Sequence, residues 1–393
     1  MKILYINHNW KGEGTFFRAF NFAKHLAKKG HSMTLLTVSP DLKFSSRSYT
    51  SEKVKIIETP QILDISRGGW GPLDILHKLI HVLKNRYDII HGFDHKPNVS
   101  WPSLLGRASH KGTIFVSDWA DWWMKGGISK GARPNPELFI ETFLEEGIRR
   151  KADGLTVTSQ TLKKRALSIK VRKDRIFYIP SGCDIDRIRP LPETKVKKIK
   201  RKYKIPANRK ILQFIGFGQG DLGIMIDGFH ELRKNRVDAV FMIVGPLQKH
   251  LEKKVKNSPY AEDIIITGRV DYKKVTELAP VSDISLMPLG DNLANRGRGP
   301  IKAGDYMAAG RPVLANDIGD IGYWIKKYRI GITAKHNAKD IAAKMEMLIK
   351  NKRLRKKLAR NSYNTAVKVL SWKKVSGDME KAYNKIIKLK SKL

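Results

Sequence analysis

Short runs of β-branched and aliphatic residues, each followed by a stretch with helical periodicity, recur from one end of this chain to the other. Such alternation restricts the fold to parallel α/β architecture. Parallel strands need crossover connections of a dozen residues or more, and the helical stretches supply them. Strands are expected at 2–7, 33–38, 55–58, 88–92, 113–117, 155–158 and 177–180, then at 210–216, 240–245, 264–267, 284–288, 312–315 and 331–333, with a first helix over 15–29. The pattern restarts once, after Arg189-Pro190-Leu191-Pro192, where two prolines interrupt regular structure and a basic stretch follows. Two doubly wound Rossmann-like domains are therefore expected, 1–190 and 191–370, with a closing segment 371–393. Open sheets bind ligands beyond the carboxyl ends of their strands, so the active site is expected in a cleft between the two domains.

At 393 residues the chain is long enough for each domain to bury its own core. No apolar run approaches the roughly 18 residues that span a bilayer, and the opening KILYINHNW turns polar too soon for a secretory leader, so a cytoplasmic protein is expected. The single cysteine, Cys183, excludes an internal disulfide and any cysteine-built metal cage, and a packing role is expected for it. Lysine and arginine number 76 against 37 acids, a formal net charge of +39 and a pI near 10.1. An excess of this size predicts a polyanionic partner, either nucleic acid or an anionic membrane surface, unless it only reflects solvated Lys-rich helices. The basic residues cluster at 195–204, 163–175, 352–360 and 381–392. No helix-turn-helix, zinc-finger or RNA-binding signature accompanies them, which favours a membrane over nucleic acid. The segment from Trp70 to Arg86, with Leu73, Leu76, Leu79, Ile80 and Leu83 interleaved with His77, Lys78, His81 and Lys84, reads either as an interfacial helix or as an ordinary core-facing one.

Several motifs carry chemistry. Residues 296–313, RGRGPIKAGDYMAAGRPV, run from a cationic glycine loop through Pro300 into a short helix with one acid, Asp305, and stop at Gly310. Backbone N–H groups and the helix dipole at such a start suit a phosphate, with Arg298 and Lys302 adding charge. Gly218-Gln219-Gly220-Asp221-Leu222-Gly223 follows a strand and opens a helix, as a dinucleotide fingerprint does, but the next strand ends Val244-Gly245-Pro246 without an acid for an adenosine ribose. A contact to a nucleotide diphosphate, or a tight turn, fits it better. Asp184-Ile185-Asp186 has the D-x-D spacing of a cation site and equally that of a turn with capping aspartates. The 11 histidines show no metal-ligand spacing. His91 and His95, in HGFDH, fall either at the cleft or in the core. Ser117-Asp118-Trp119-Ala120-Asp121-Trp122-Trp123 sets two carboxylates among three indoles, a combination that can bind sugar hydroxyls and cover the apolar face of a pyranose, or else pack as a loop.

The order of these pieces resembles the retaining glycosyltransferases of GT-B fold, family 4 (glycosyl transferases group 1) type. Gly12-Glu13-Gly14-Thr15 and the helix ending Leu26-Ala27-Lys28-Lys29-Gly30-His31 are similar to that family's opening glycine loop and helix. Residues 151–159 (KADGLTVTS) and 179–184 (IPSGCD), Pro190, and Ser371-Trp372 at the start of a last helix match further stretches. The resemblance implies two domains facing across a cleft, acceptor on the first and donor on the second, with the last helix crossing back to the first. The family's paired acids, with seven residues between them, fall on Gly297 and Asp305, so Asp305 is expected to hold the ribose hydroxyls while the first acid is missing. The family's Arg and Lys near the second domain's first loop match Phe217 and Leu222, which leaves the diphosphate to Arg298 and Lys302. Asp118 matches a family Asp, and Ser117 stands where a histidine is usual. Expected donor contacts are completed by Gly14, Gly216, Gly218, Gly220 and Arg269, and the catalytic groups are expected to be Asp118, Asp121 and Lys302.

The implied function is a hexosyl- or glycosyltransferase that moves sugar from a UDP-, GDP- or ADP-sugar to a lipid-linked or cell-envelope glycan with retention, without metal or other cofactor, working as a peripheral protein at the inner membrane face. Alternatives are another sugar-nucleotide enzyme such as an epimerase, an inactive glycosyltransferase-like protein, and, less favoured, a nucleic-acid-binding protein.

Overall fold

A computed structural model describes residues 1–41, 44–62, 68–131, 136–216 and 221–391. The chain divides into two compact units, the first formed by Met1–Ser181, Arg296–Gly299 and Trp372–Leu393, the second by Gly182–Asn295 and Pro300–Ser371.

The first unit contains β1 (Lys2–Trp10), α1 (Thr15–Ala27), β2 (Ser32–Val38), β3 (Arg47–Ser51), β4 (Val54–Thr59), α2 (Pro72–Lys84), β5 (Ile89–Phe93), α3 (Pro97–Ser109), β6 (Ile114–Trp119), α4 (Pro136–Lys151), β7 (Gly154–Val157), α5 (Gln160–Ser168) and β8 (Ile176–Tyr178). Its sheet has the order β3-β4-β2-β1-β5-β6-β7-β8, parallel except for the antiparallel β3–β4 pair. Both faces are covered, which is why β1 reads as a continuous apolar run rather than an alternating one. Ile3 and Tyr5 enter one core with Phe22 of α1, whereas Leu4 and Ile6 enter the other with Val82 of α2 and Val99 of α3. β3 escaped the sequence reading because RSYTS is polar and largely exposed, an edge strand without an apolar face.

The second unit contains α6 (Glu193–Lys202), β9 (Lys210–Ile215), α7 (Leu222–Lys234), β10 (Ala239–Val244), α8 (Lys249–Lys256), β11 (Ile264–Ile266), α9 (Tyr272–Leu278), β12 (Ile284–Met287), α10 (Leu293–Gly297, whose last two residues group with the first unit), α11 (Ile301–Ala308), β13 (Val313–Asn316), α12 (Gly319–Tyr328), β14 (Gly331–Ala334), α13 (Ala338–Lys350) and α14 (Lys352–Lys368). All its strands are parallel, in the order β11-β10-β9-β12-β13-β14. Again alternate residues feed two cores, Ile211 and Ile215 on one side of β9 and Leu212 and Phe214 on the other.

The first unit ends at Ser181, ahead of the proline pair on which the sequence places the boundary. Packing explains the difference: Cys183 and Ile188 are buried in the second unit's core, and the Cys183 amide donates to the Leu370 carbonyl at 2.6 Å. The last helix, α15 (Trp372–Lys390), belongs to the first unit. Trp372 stands edge-on to Phe22 with ring centroids 5.2 Å apart, and the Tyr383 hydroxyl lies 2.8 Å from that of Tyr5 and 2.7 Å from His91 Nδ1. These three polar groups are interior and satisfy one another. Tyr383→Phe leaves two of them unpaired and is expected to lower the unfolding free energy by about 1–3 kcal/mol in chemical denaturation, whereas Lys388→Ala, on the exposed side of the same helix, is expected to stay within about 0.5 kcal/mol of the parent.

Candidate active site

In the first unit, β6 ends in Ser117-Asp118-Trp119, all three fully buried. The Asp118 carboxylate accepts from Arg18 of α1, Nε at 3.0 Å and Nη2 at 2.9 Å, and from Thr156 Oγ1 at 2.5 Å. Burial opposes the charged form, yet the Arg18 guanidinium and these bonds hold the carboxyl below the usual carboxylate range. Arg18 also donates to the Ile179 carbonyl at 2.8 Å. Asp118, expected to meet substrate, therefore faces inward, with both oxygens engaged by the protein itself. Ser117 Oγ accepts from Arg149 Nη1 at 2.6 Å and is equally interior.

The two histidines of HGFDH are buried as well. His91 Nε2 lies 3.2 Å from Thr156 Oγ1, and burial pushes the imidazole down to about 3, so it is neutral at physiological pH. His95 sits between Asp94, 2.6 Å from its Nδ1, and Glu141, 3.8 Å from its Nε2. Burial disfavours its imidazolium, but Asp94 and then Glu141 outweigh that and raise the group above its ordinary value.

Beyond Trp119 the loop through Asp121, Trp122 and Trp123 is fastened by Glu145 of α4. This fully buried carboxylate accepts from the backbone N–H groups of Trp123 at 2.9 Å and Met124 at 3.0 Å, and from Arg165 Nη2 at 3.0 Å. The Arg165 guanidinium lies over the rings of Trp119 and Trp122, 4.9 and 4.2 Å from their centroids. Asp121, partly exposed on this loop, is pushed up to about 6 by burial, against the opposing charge of Arg298. Gly297 packs on the same loop: a Cβ at 297 would lie 2.8 Å from Trp122 Cβ, and the Gly297 carbonyl accepts from Ser159 Oγ at 2.8 Å. The acid that the resemblance puts at 297 has no room, because Trp122 fills its space. Gly14, at φ +50, allows Asn9 Oδ1 to accept from the Thr15 amide at 2.8 Å and start α1, since a Cβ at 14 would stand 2.6 Å from that oxygen.

In the second unit, α11 starts after Pro300, and Gly310 beyond its end takes φ +66. Lys302, in the first turn, passes its ammonium over Gly216 at the end of β9, where a Cβ would lie 2.1 Å from Nζ, so only bare backbone admits it. Its Nζ is 4.9 Å from the Phe214 ring centroid. Three residues on is Asp305, partly exposed. Burial first, and then the neighbouring Asp184 carboxylate, push Asp305 up to about 7, while Tyr272's hydrogen bond and Lys302's charge pull the other way.

Asp184 also accepts from the Arg187 amide at 3.2 Å, as a turn-capping aspartate does. Among the described residues no three His, Cys, Asp or Glu side chains gather as a metal site. Phe217, Gly218 and Gly220 lie outside the described residues. Asp221, within the same glycine stretch, accepts from the Gly290 amide at 3.0 Å and from Asn295 Nδ2 at 2.9 Å. Leu222 is core, and Arg269 is exposed after β11.

The sequence reading passed over Arg18, Glu145, Arg165 and Tyr272. The first two had a signal: a charge at a core-facing helical position, Arg18 within TFFRAF and Glu141 with Glu145 at i, i+4 on the inward side of α4.

Two family models match, Glycosyltransferase Family 4 over residues 14–187 and Glycosyl transferases group 1 over residues 195–365. An uncharacterised glycosyltransferase of Methanocaldococcus jannaschii is 27% identical over 256 residues, 63% of this chain and 62% of its own. A putative teichuronic acid biosynthesis glycosyltransferase of Bacillus subtilis is 23% identical over 182 residues, 46% of this chain and 44% of its own. The matched stretches thus span less than two thirds of either relative. The structure of HepE from Anabaena, in complex with UDP and glucose, superposes with a TM-score of 0.74 at 15% identity, covering 98% of this chain and 99% of that one. With each half matched by its own family model and both sheets shared with a solved GT-B structure, the chain belongs to the family 4, group 1 type of GT-B glycosyltransferases.

Proposed function

We propose that the protein transfers a sugar from a nucleoside diphosphate donor to a lipid-linked or cell-envelope glycan, with retention of configuration. The observation that carries this reading is Lys302 lying over Gly216 in the first turn of α11, with Asp305 three residues on. A lysine at a helix start, above bare backbone at a strand's carboxyl end, suits a diphosphate, and an acid one turn along suits ribose hydroxyls. As the glycosidic bond breaks, negative charge grows on the leaving diphosphate. Lys302 and the N–H groups of α11 stabilise that charge more than they stabilise the bound donor, which lowers the barrier. The departing phosphate takes the proton of the acceptor hydroxyl on the same face, giving retention. Charge neutralisation by these groups needs no metal ion.

Asp121 takes the part of the carboxylate missing at 297, since it stands on the loop that fills that space and is the partly exposed acid of the pair expected there. Asp118 acts through Arg18, as a positioning residue. The UDP and glucose of the Anabaena structure support the donor class, and the teichuronic acid role named for the Bacillus protein supports an envelope acceptor. No helix among the described residues is long and apolar enough to cross a membrane.

Incubation with a panel of UDP-, GDP- and ADP-sugars, following diphosphate release, tests the reading. One donor class should react, and Lys302→Ala should cost roughly 10²–10³-fold in kcat; unchanged turnover in both Lys302→Ala and Asp305→Ala would refute the assignment. Asp121→Asn is expected to lower kcat more than it changes donor KM.

The raised Asp305 carboxyl also gives a pH signature. Donor affinity should improve as pH rises through about 7, where Asp305 becomes the ionised acceptor, and Asp305→Asn should flatten that dependence. Stability runs the other way. A carboxyl whose folded value exceeds its unfolded value of about 4 costs stability as pH climbs from about 4 to 7, so Asp305→Asn should raise the melting temperature above neutral pH and have little effect in acid.

A further inference from the structure

Three neighbouring helices of the first unit turn apolar side chains outward. On α2 the usual arrangement is inverted in part. Asp74 and Lys78 are fully buried as an ion pair at 2.9 Å, while Leu76, Ile80 and Leu83, spaced i, i+4, i+7, are 52%, 42% and 49% exposed. Ile75 is buried and Val82 packs with Leu4 and Ile6 of the sheet, so the helix is apolar on two sides. α4 leaves Phe139 and Phe143 67% and 64% exposed, their rings edge-on at 4.9 Å, with Ile140 beside them.

Trp70 joins the two helices. Its ring is edge-on to that of exposed Trp101 on α3, 6.1 Å away, and its Nε1 donates to Glu141 of α4 at 2.9 Å. α3 packs against both α2 and α4, so the outward residues lie on three neighbouring helices of one layer. Large exposed apolar side chains gathered on neighbouring helices mark an interaction site.

Charge narrows the partner. Exposed Lys84, Arg86, Lys111, Arg150 and Lys151 lie at or just beyond the carboxyl ends of the same three helices, and Arg86 donates to the Lys111 carbonyl at 3.3 Å. The acids on the inward side are occupied, Glu141 by Lys96 and Trp70, and Glu145 by Arg165. A second copy of this chain would set one cationic rim against another, which like-charge repulsion opposes. Anionic lipid meets both features: aliphatic and aromatic side chains enter the headgroup boundary while lysines and arginines meet phosphates. We propose that the outward face of α2, α3 and α4 docks on an anionic lipid bilayer, an inference that rests on the lipid-linked acceptor reading and names the surface it uses.

The test is co-sedimentation of the full chain with vesicles of phosphatidylcholine alone and of phosphatidylcholine and phosphatidylglycerol in equal parts, at low and high salt. The basic clusters elsewhere on the chain contribute a salt-sensitive component, whereas the exposed apolar side chains contribute a salt-resistant one. The parent chain is expected to bind the anionic vesicles and keep part of that binding in high salt. A triple variant, Ile80→Gln with Phe139→Ser and Phe143→Ser, is expected to lose the salt-resistant part and to partition at least roughly tenfold more weakly, with its thermal melt unchanged. Calorimetric binding of nucleoside diphosphates without vesicles should be equal in the two proteins; if neither binds one, the transferase reading fails while retained vesicle binding still supports the surface. No binding to anionic vesicles, binding indifferent to the triple substitution, or a parent dimer that the triple variant turns into a monomer each overturns the proposal.

Discussion

Inside the first unit the Arg18 guanidinium is the interaction from which the rest of that unit's chemistry hangs. It clamps Asp118 at the end of β6 and reaches the Ile179 carbonyl just past β8, while Thr156 links the same carboxylate to His91 and Tyr383. α1, three strands and the last helix are thus held by one chain of buried polar groups. Such a network is stable only when every member is satisfied, since a lone buried charge costs several kcal/mol. It also explains why β6 and the loop after it keep a fixed course. With Asp118 anchored inward and Glu145 bonding the Trp123 and Met124 amides, Asp121 is left as the partly exposed acid of this stretch.

The second unit solves a different problem. Its buried polar groups on the sheet, Gln213, Ser285 and Asn316, are uncharged and scattered among aliphatic and aromatic residues. On the carboxyl side of β9 the bare backbone of Gly216 lets Lys302 cross, and Asp305 shares its surroundings with Asp184 and Tyr272. A carboxyl raised by burial and by a neighbouring acid, beside a lysine, is an arrangement kept at the expense of stability, which is usual where a ligand is to be bound.

Much of this was legible in the sequence. Every strand expected from the apolar runs is present, because parallel strands buried on both faces have a composition that few other elements share. The polar edge strand β3 was not legible, since its pairing depends on β4 and not on any pattern of its own. Lys302, Asp305 and Gly216 could be picked out by motif, but Asp118 could not be told from Asp121: both are aspartates beside tryptophan, and what separates them is Arg18, a hundred residues away in sequence. Gly297 looked like a missing acid and is a packing necessity, because Trp122 occupies the space a side chain would need. The two readings of α2 could not be resolved from periodicity, as its apolar residues cover more than one face and the lysine that turns inward is neutralised by Asp74, four residues earlier.

The proposed transfer depends on Lys302 recognising a diphosphate. Calorimetric titration of the parent and of Lys302→Ala with matched nucleoside mono- and diphosphates of each base tests it most directly, because the second phosphate is the group that lysine is held to meet. The parent should bind one diphosphate at least about tenfold more tightly than its monophosphate, and Lys302→Ala should lose this preference while still binding the nucleoside. An equal preference in both proteins would contradict this.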